Sequence, residues 1–450
     1  MIPWLPNEPL AGKMLSALGI KSVEELFSDI PQDIRTGELK LPSGQSEPQV
    51  RQALYDIIAR DKGARDLPTF LGAGVYDHYV PSAVNAIVGR SEFYTAYTPY
   101  QPEASQGMLQ ALFEYQSLIA ELTAMDVVNA TLYDGATALG EAALMCARIT
   151  HRRTFIVPRA ISWERRAVLE SYAKASGLRI EEIPYDEKGQ LSLSHLVLGD
   201  DVAGVYIEQP NVFGVLEEAA NEVTEMCGDR ALVVVGVNPI SLGAIKPPGK
   251  YGDRGADIMI GEGQPLGNPM ALGGSLFGLF GCKRQYARQI PGRVIGMTRD
   301  AEGRRAFCMT IQTREQHIRR GKATSNICSN QSLCALAAAV YLGLLGPGLR
   351  QLALTCMAKA ARLRRSIGEI EGFEVPFEAP HFNEFVARSA IDPGVLNGEL
   401  LRRGVIGGYS LKKRFPELGN AALYAVTELT TEEHMDTLVR ALADVRGGHA

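Results

Sequence analysis

Blocks of helical and strand periodicity alternate along the middle of the chain. Apolar residues recur every three or four positions over residues 104–123, which predicts a long amphipathic helix, and a second helix is predicted up to about residue 148. The predicted strands are 154–157, 179–183, 204–207, 232–235, 257–260 and 273–280, with helices at 163–175 and 217–227. Short β-rich runs alternating with helices are typical of a mostly parallel sheet covered on both faces. The predicted fold class is therefore α/β.

The two ends of the chain have different patterns. Residues 1–65 are polar and helical with breaks at Pro31 and Pro48, which predicts an N-terminal helical arm. After an apolar helix at 333–345, strands at 373–377, 383–387 and 423–426 and a final helix at 432–445 predict a smaller C-terminal α/β domain. We therefore expect an arm (1–65), a large domain (66–325) and a small domain (326–450).

Composition and charge exclude several classes of protein. The 450 residues are 46% hydrophobic and 22% charged, which is typical of globular domains. The net charge of −5 provides no basic field, so nucleic acid is not expected as a partner. The apolar stretch at 333–345 is shorter than the roughly 18 to 20 residues that span a bilayer. The first ten residues lack the basic flank of a signal peptide, so we expect no membrane association and a cytoplasmic location.

The residues that usually bind metals or nucleotides form no known motif. The seven cysteines include no CxxC pair, which favours reduced thiols, and the seven histidines are scattered, so no metal site is expected. The glycine-rich segment 261–267 (GEGQPLG) follows a predicted strand, as a dinucleotide-binding loop does. Such a loop must open a helix, however, and here Pro265, Pro269 and a further strand pattern follow. The dinucleotide interpretation is therefore rejected.

Three longer motifs carry a specific resemblance. They are residues 94–103 (YTAYTPYQPE) with 105–107 (SQG), residues 261–267 (GEGQPLG), and residues 312–320 (QTREQHIRR) with 322–328 (KATSNIC). In this order they resemble the glycine decarboxylase P-protein family, and in particular its subunit 1, the α or N-terminal half. The resemblance covers nearly the whole chain. It implies a pyridoxal-phosphate enzyme of fold type I, with a large domain and a smaller C-terminal α/β domain.

The resemblance also implies a reaction and its partners. Pyridoxal phosphate takes up glycine, carbon dioxide leaves, and the aminomethyl group passes to the lipoyl arm of H-protein. The cofactor supplies the electron sink, and the protein must supply a Schiff-base lysine, a partner for the pyridine nitrogen and a phosphate cradle.

This chain departs from that pattern at all three places. By the resemblance, Gln264 stands where the Schiff-base lysine is expected, and Val235 and Gly236 stand where the acidic partner of the pyridine nitrogen is expected. Asp134 precedes the helix whose amides would bind the phosphate, and its charge would repel that group. We therefore expect no catalytic or cofactor-binding residue in this chain alone, with pyridoxal phosphate held by a homologous β subunit (subunit 2).

The resemblance suggests residues of this chain that reach the interface or the active-site mouth. They are Tyr94, Tyr97, Thr98, Tyr100, Glu103, Gln106, Glu262, Gln264, Thr324, Ser325 and Asn326. Structural roles are open for the same residues: the tyrosines could be interface packing, Glu103 and Gln106 could cap the long helix, and 324–326 could cap a buried helix. The basic run from Arg314 to Lys322 is either a solvated helix face or a contact for a phosphate or an acidic carrier protein.

Three functions remain open at this point. The first is the α subunit of a two-chain glycine decarboxylase that acts with the β subunit, H-protein and glycine, and is inactive alone. The second is a noncatalytic scaffold or regulatory homologue. The third is a self-sufficient pyridoxal-phosphate enzyme that uses Lys246 or Lys250, although both lysines precede the predicted 257–260 strand, and Lys283 lies after the next one.

Overall fold

The structure, a computed structural model, describes residues 7–37, 40–63, 66–327 and 331–449. The start of the predicted arm and Cys328 of the third motif lie outside these residues. By their contacts the residues form two compact units, 1–62 and 63–450. The further boundary near residue 325 stays a prediction.

The first unit consists of short helical segments. Its α-helices are α1 (Ala11–Leu18) and α2 (Glu47–Ile58). Ser46 and Gln49 form a capping box at the start of α2, which fixes where this helix begins. Val50, Leu54 and Ile58 follow one another at intervals of four along α2, and all three are exposed. The unit therefore presents an exposed apolar stripe along α2.

The second unit contains the remaining helices and all strands that the structure describes. Its helices are α3 (Ser82–Val88), α4 (Ser91–Tyr94), α5 (Gln106–Thr123), α6 (Gly135–Thr150), α7 (Trp163–Ser176), α8 (Ala220–Cys227), α9 (Gln316–Arg319), α10 (Ser332–Leu345), α11 (Leu349–Gly368), α12 (Pro393–Arg402) and α13 (Glu432–His449). Its strands are β1 (Val127–Val128), β2 (Thr154–Pro158), β3 (Arg179–Ile183), β4 (Val202–Gln209), β5 (Leu232–Val237), β6 (Ile258–Glu262), β7 (Gly278–Cys282), β8 (Val294–Arg299), β9 (Arg305–Thr310), β10 (Phe373–Glu374), β11 (Glu384–Ser389), β12 (Tyr409–Ser410) and β13 (Ala421–Ala425).

A seven-stranded sheet forms the centre of this unit, in the order β1-β7-β6-β5-β4-β2-β3. The strands from β3 to β6 are parallel, and β7 and β1 are antiparallel to their neighbours. Both faces are buried: Val233 and Val235 belong to one core, and Leu232 and Val234 belong to the other. This two-sided burial explains the continuous apolar run of β5. The predicted mostly parallel α/β fold is confirmed.

The C-terminal part carries its own sheet and core. Strands β10, β11, β13 and β12 form an antiparallel sheet, against which α11 and α13 pack. The helical run Ser332–Gly368 is long and apolar enough to cross a membrane by composition alone. The turn Gly346–Gly348 divides it into α10 and α11, and both contribute residues to the protein core.

The largest errors in the predicted starts of elements are at α8 and β7. The helix expected from residue 217 begins at Ala220, because the Glu217 carboxylate accepts hydrogen bonds from Leu191 N (2.8 Å) and Asn211 Nδ2 (2.9 Å) outside the helix. The strand expected from residue 273 begins at Gly278. Ala271 and Leu272 have positive φ angles of 43° and 55°, which prevent an extended strand there.

Candidate active site and partner surface

A cavity of about 270 Å³ lies at the carboxyl edge of the large sheet. Its walls come from the ends of β4, β5 and β6, the start of α6, residues 73–76 and Glu384 of β11. In open α/β sheets, ligands bind at this edge. The cavity is therefore the place where a cofactor of this fold would be sought.

Two of the backbone donors at the start of α6 are already used by carboxylates. Gly135 N donates to Glu262 Oε2 (2.9 Å), and Thr137 N donates to Asp134 Oδ1 (2.6 Å). Glu262 Oε1 also accepts from Gln264 N (3.0 Å) and Phe277 N (3.1 Å). Burial raises the pKa of Glu262 to about 7, although these backbone donors oppose the shift. A phosphate entering here would meet two carboxyl groups where it needs free N–H donors.

Gln264 is buried and fully engaged within the chain. Its Nε2 donates to Tyr76 O (3.0 Å) and Asn268 O (2.7 Å), and its Oε1 accepts from Tyr76 N (3.1 Å). The amide thus fastens the 73–76 segment to the turn after β6. Glu262 and Gln264, both expected near the mouth of the site, lie inside the chain and have their polar atoms engaged there.

Asn238 is the first residue after β5, and its position corrects the expected place of Val235 and Gly236 at the end of this strand. The strand continues two residues beyond Val235, so both predicted residues lie within it. Asn238 lines the cavity, and its Oδ1 accepts from Ile240 N (3.0 Å). The position still lacks a carboxylate.

Two further glutamates make the cavity acidic. Glu208 contacts Arg165 and accepts from Ser162 N (3.0 Å), and burial raises the pKa of Glu208. Glu384 accepts from Tyr76 OH and from Ala73 N at 2.6 Å each. Burial also raises the pKa of Glu384 to about 7, and the charge of Glu208 adds to this shift.

No lysine is among the described residues that line the cavity. Lys246 and Lys250 are exposed, and Lys246 Nζ donates to Asn221 Oδ1 (3.1 Å). Lys283 Nζ pairs with the buried Asp257 (2.7 Å). The structure therefore does not support the hypothesis that Lys246, Lys250 or Lys283 forms a Schiff base in this cavity.

The tyrosines of the first motif form an exposed surface instead. Tyr94, Tyr97 and Tyr100 are 56%, 75% and 45% exposed, and Glu103 is also exposed. Thr98 is half-buried among them. We call residues 94–103 the tyrosine segment.

The tyrosine segment is fixed to the third motif and to the β8–β9 hairpin. Arg293 donates to Tyr100 OH (3.0 Å), and the Tyr100 and His317 rings lie edge to face with centroids 5.4 Å apart. Gln106 exchanges two hydrogen bonds with the backbone of Phe307 (2.8 and 2.9 Å). The structure therefore brings together parts of the first and third motifs that are distant in sequence.

The remainder of the third motif divides into different environments. Arg314 is buried and donates to Ile290 O and to Gly292 O, which corrects its assignment to a solvated face. Arg319, Arg320 and Lys322 are exposed. Thr324, Ser325 and Asn326 line a groove with residues of α6 and α7, and this groove shares no lining residue with the cavity.

Comparison with known proteins gives the family. Residues 5–442 match the family described as glycine cleavage system P-protein. The chain belongs to this family. It is 48% identical to a Thermococcus kodakarensis protein named probable glycine dehydrogenase (decarboxylating) subunit 1, over 99% of this chain and 98% of that protein. A Moorella thermoacetica protein of the same name is 46% identical, over 96% and 97% of the two chains.

Solved structures agree with the P-protein assignment. An inhibitor-bound glycine decarboxylase (P-protein) of the glycine cleavage system is 42% identical, with a TM-score of 0.89 over 97% of this chain and 98% of that one. A sphingosine-1-phosphate lyase of Burkholderia pseudomallei (TM-score 0.66, 14% identical) and a NifS-like protein (0.61, 13%) share the fold. The expected family, subunit type and fold type I are confirmed.

The P-protein family and this fold support the use of pyridoxal phosphate by the enzyme, but the cavity of this chain does not fit that group. Carboxylates bind the amides that would hold the phosphate, and the described lining residues offer no lysine.

Sequence reasoning missed Glu208, Glu384, Arg165 and Asn238 as cavity residues. The available signal was a glutamate in or beside an otherwise apolar strand, because Lys, Glu, Arg and Asp are almost never fully buried without a partner. The partners Arg165 and Tyr76 are distant in sequence, and only the fold brings them to these glutamates.

Proposed function

We propose that this chain is the subunit of a two-chain glycine decarboxylase that holds no cofactor, and that a homologous β subunit holds pyridoxal phosphate. The observation that carries the proposal is the cavity at the carboxyl edge of the sheet. Glu262 and Asp134 use the donors of the phosphate cradle, and Gln264 is bound to the backbone of Tyr76 and Asn268. The complete enzyme is cytoplasmic, and its other reactants are glycine and lipoylated H-protein.

The tyrosine segment is the part of this chain that completes the partner's site. Its three tyrosines are exposed, and Arg293 donates a hydrogen bond to the hydroxyl of Tyr100. The segment therefore presents polar side chains at the surface, and this hydrogen bond fixes the position of one of them. Preorganised donors of this kind can orient a small zwitterion such as glycine and exclude water around it. The exposed cations of 319–322 lie on the same motif as His317 and could receive H-protein.

Assembly with the β subunit is permanent in this proposal. The apolar stripe of α2 and the exposed tyrosines are the surfaces that the partner covers, and permanent complexes bury about 2,000 Å² or more. A noncatalytic scaffold would share this assembly. The scaffold hypothesis differs because it predicts that substitutions in the tyrosine segment leave turnover unchanged.

Two substitutions separate the proposal from the scaffold alternative. Tyr97→Phe and Glu103→Gln remove a hydroxyl and a charge while nearly keeping the volume, so packing is retained. We expect each to reduce exchange of labelled bicarbonate into glycine by about a hundredfold or more, as for the loss of a preorganised donor. The assay uses this chain reconstituted with the β subunit and H-protein.

The matched control is Lys188→Ala, which changes an exposed residue outside this surface. Complex assembly and cofactor content are measured for every variant. If Tyr97→Phe and Glu103→Gln assemble normally and exchange at the parent rate, the tyrosine segment is structural and the proposed role is wrong.

A further inference from the structure

A second group of chemically reactive side chains lies outside the cavity and the tyrosine segment. His78, Cys356 and Glu428 each bring one possible metal-binding atom within 4.8 Å of the other two. They come from three separate parts of the chain: the segment before α3, helix α11 and the turn after β13. Their sequence spacing matches no metal motif, so only the fold reveals the group.

The group is compact, and its present His78–Glu428 distance is that of a hydrogen bond, which a bound cation would replace. Glu428 Oε2 lies 2.7 Å from His78 Nδ1 and 3.8 Å from Cys356 Sγ. Bond lengths of about 2.0 to 2.3 Å in a tetrahedral zinc site place neighbouring ligand atoms about 3.3 to 3.8 Å apart. Small side-chain rotations would therefore bring the three atoms around one ion.

Two buried polar atoms beside the group lack a partner among the described residues. They are His78 Nε2 and the hydroxyl of Tyr341. Burial, followed by the charges of Glu428 and Cys356, raises the pKa of Tyr341, which places this phenol in the same electrostatic environment. Buried polar atoms without partners generally mark an ordered water or an ion. The His78–Glu428 ion pair alone leaves the Tyr341 hydroxyl without a partner.

The charges around the group are compatible with a dication. Glu428 Oε1 accepts from Tyr79 N (2.7 Å), which fixes the carboxylate. The nearby Lys359 ammonium is bound to the backbone oxygens of Glu428 and Thr430 (2.6 Å each). A thiolate and a carboxylate together would neutralise the charge of a dication. The Lys359 ammonium would remain hydrogen-bonded to the backbone oxygens of Glu428 and Thr430.

We propose that His78, Cys356 and Glu428 form a structural binding site for a borderline-soft transition metal ion, with Zn²⁺ as the best match. Thiolate and imidazole ligands favour zinc over Mg²⁺ and Ca²⁺, which take oxygen ligands. A water completes the coordination and is the partner of Tyr341. The ion joins the segment around His78, which directly follows the cavity-lining residues 73–76, to the C-terminal part of the chain.

Cobalt(II) is the most direct probe of this site, because a cobalt–thiolate bond has its own charge-transfer absorption. The full chain is treated with a chelator, dialysed and titrated with Co²⁺ and then with Zn²⁺. We expect one equivalent of Co²⁺ to produce the thiolate band and Zn²⁺ to displace it. Metal binding is read directly, so the result is independent of glycine decarboxylase activity.

Variants make the assignment specific. Cys356→Ala is expected to abolish the band, and His78→Gln to weaken Co²⁺ binding by at least about tenfold. Cys227→Ala removes another buried thiol and should leave the band unchanged. Circular dichroism checks that each variant is folded. The proposal is overturned if the folded parent chain shows no stoichiometric band, or if the band survives in Cys356→Ala or disappears equally in Cys227→Ala.

Discussion

At the scale of single residues, Glu262 shows how one side chain can exclude a ligand. Its carboxylate accepts the Gly135 N–H at the start of α6, the Gln264 N–H after β6 and the Phe277 N–H before β7. A donor that a phosphate would need at this helix start is therefore satisfied from within the chain. Gln264 is likewise engaged within the chain, because its side-chain amide is hydrogen-bonded to the backbone of Tyr76.

The buried glutamates predict a specific dependence of stability on pH. Burial raises the pKa of Glu384 in the folded chain to about 7, whereas an exposed glutamate titrates near 4.3. Between these values the unfolded chain releases its proton while the folded chain keeps it. The free energy of unfolding therefore falls as the pH rises from about 4.5 to 7 and levels off above it.

We expect the Glu384→Gln substitution to remove part of this decrease in the free energy of unfolding. The parent chain should lose about 2 to 4 kcal/mol more than Glu384→Gln between pH 5 and pH 8, since each unit of pKa shift corresponds to about 1.4 kcal/mol. Urea unfolding at the two pH values measures the difference. The exposed Glu369→Gln is the control and should follow the parent. Equal losses in parent and Glu384→Gln would show that Glu384 titrates normally.

Sequence reasoning at this scale succeeded where a residue type decides the chemistry. An amide at position 264 cannot form a Schiff base, and this holds wherever the residue lies. It was incomplete where tertiary contacts determine the environment of a residue. Arg314 was expected on a solvated helix face, but its guanidinium donates to Gly292 O inside the protein. The acidic wall made by Glu208 and Glu384 also depends on side chains that only the fold brings together.

At the scale of helices and strands, periodicity predicted most elements because their buried faces are regular. The expected bounds of β3 and the end of α5 agree with the structure. The errors occurred where a local contact overrides the pattern, as at Glu217 before α8 and at the positive φ angles of Ala271 and Leu272 before β7. The grouping of the three motifs was beyond sequence reasoning, because 324–326 line a different groove from the tyrosine segment.

Helix α2 carries a prediction about assembly. Leu54 and Ile58 are 52% and 60% exposed, so replacing both with glutamine should change the stability of the free chain only slightly. Burying each at an interface is worth about 1.5 to 3 kcal/mol. We therefore expect the double substitution to weaken binding of the β subunit by about a hundredfold or more, as measured by sedimentation or light scattering across a concentration series.

The control for this prediction is Gln52→Ala, which changes a polar position of the same helix. It should leave assembly within a few-fold of the parent. If the double variant binds the β subunit as tightly as the parent, the apolar stripe of α2 is not part of the interface.

At the scale of the whole molecule, the chain has the complete fold of a pyridoxal-phosphate enzyme, while the cavity at its sheet edge is incompatible with the cofactor. Its close match to a glycine decarboxylase structure and to proteins named subunit 1 indicates that this fold is retained in a two-subunit enzyme. The parts available to a partner are the tyrosine segment and the apolar stripe of α2. All three observations are explained if the β subunit binds the cofactor and this chain binds the β subunit.

Covalent trapping of the cofactor shows which subunit holds pyridoxal phosphate, which we assign to the partner and never to this chain. The complex of both subunits, and this chain alone, are loaded with pyridoxal phosphate, reduced with borohydride, digested and analysed by mass spectrometry for pyridoxyl-lysine. We expect one modified lysine per β subunit and no stoichiometric modification of this chain in either sample. A pyridoxyl group near one per chain on Lys246, Lys250 or Lys283 would contradict this assignment.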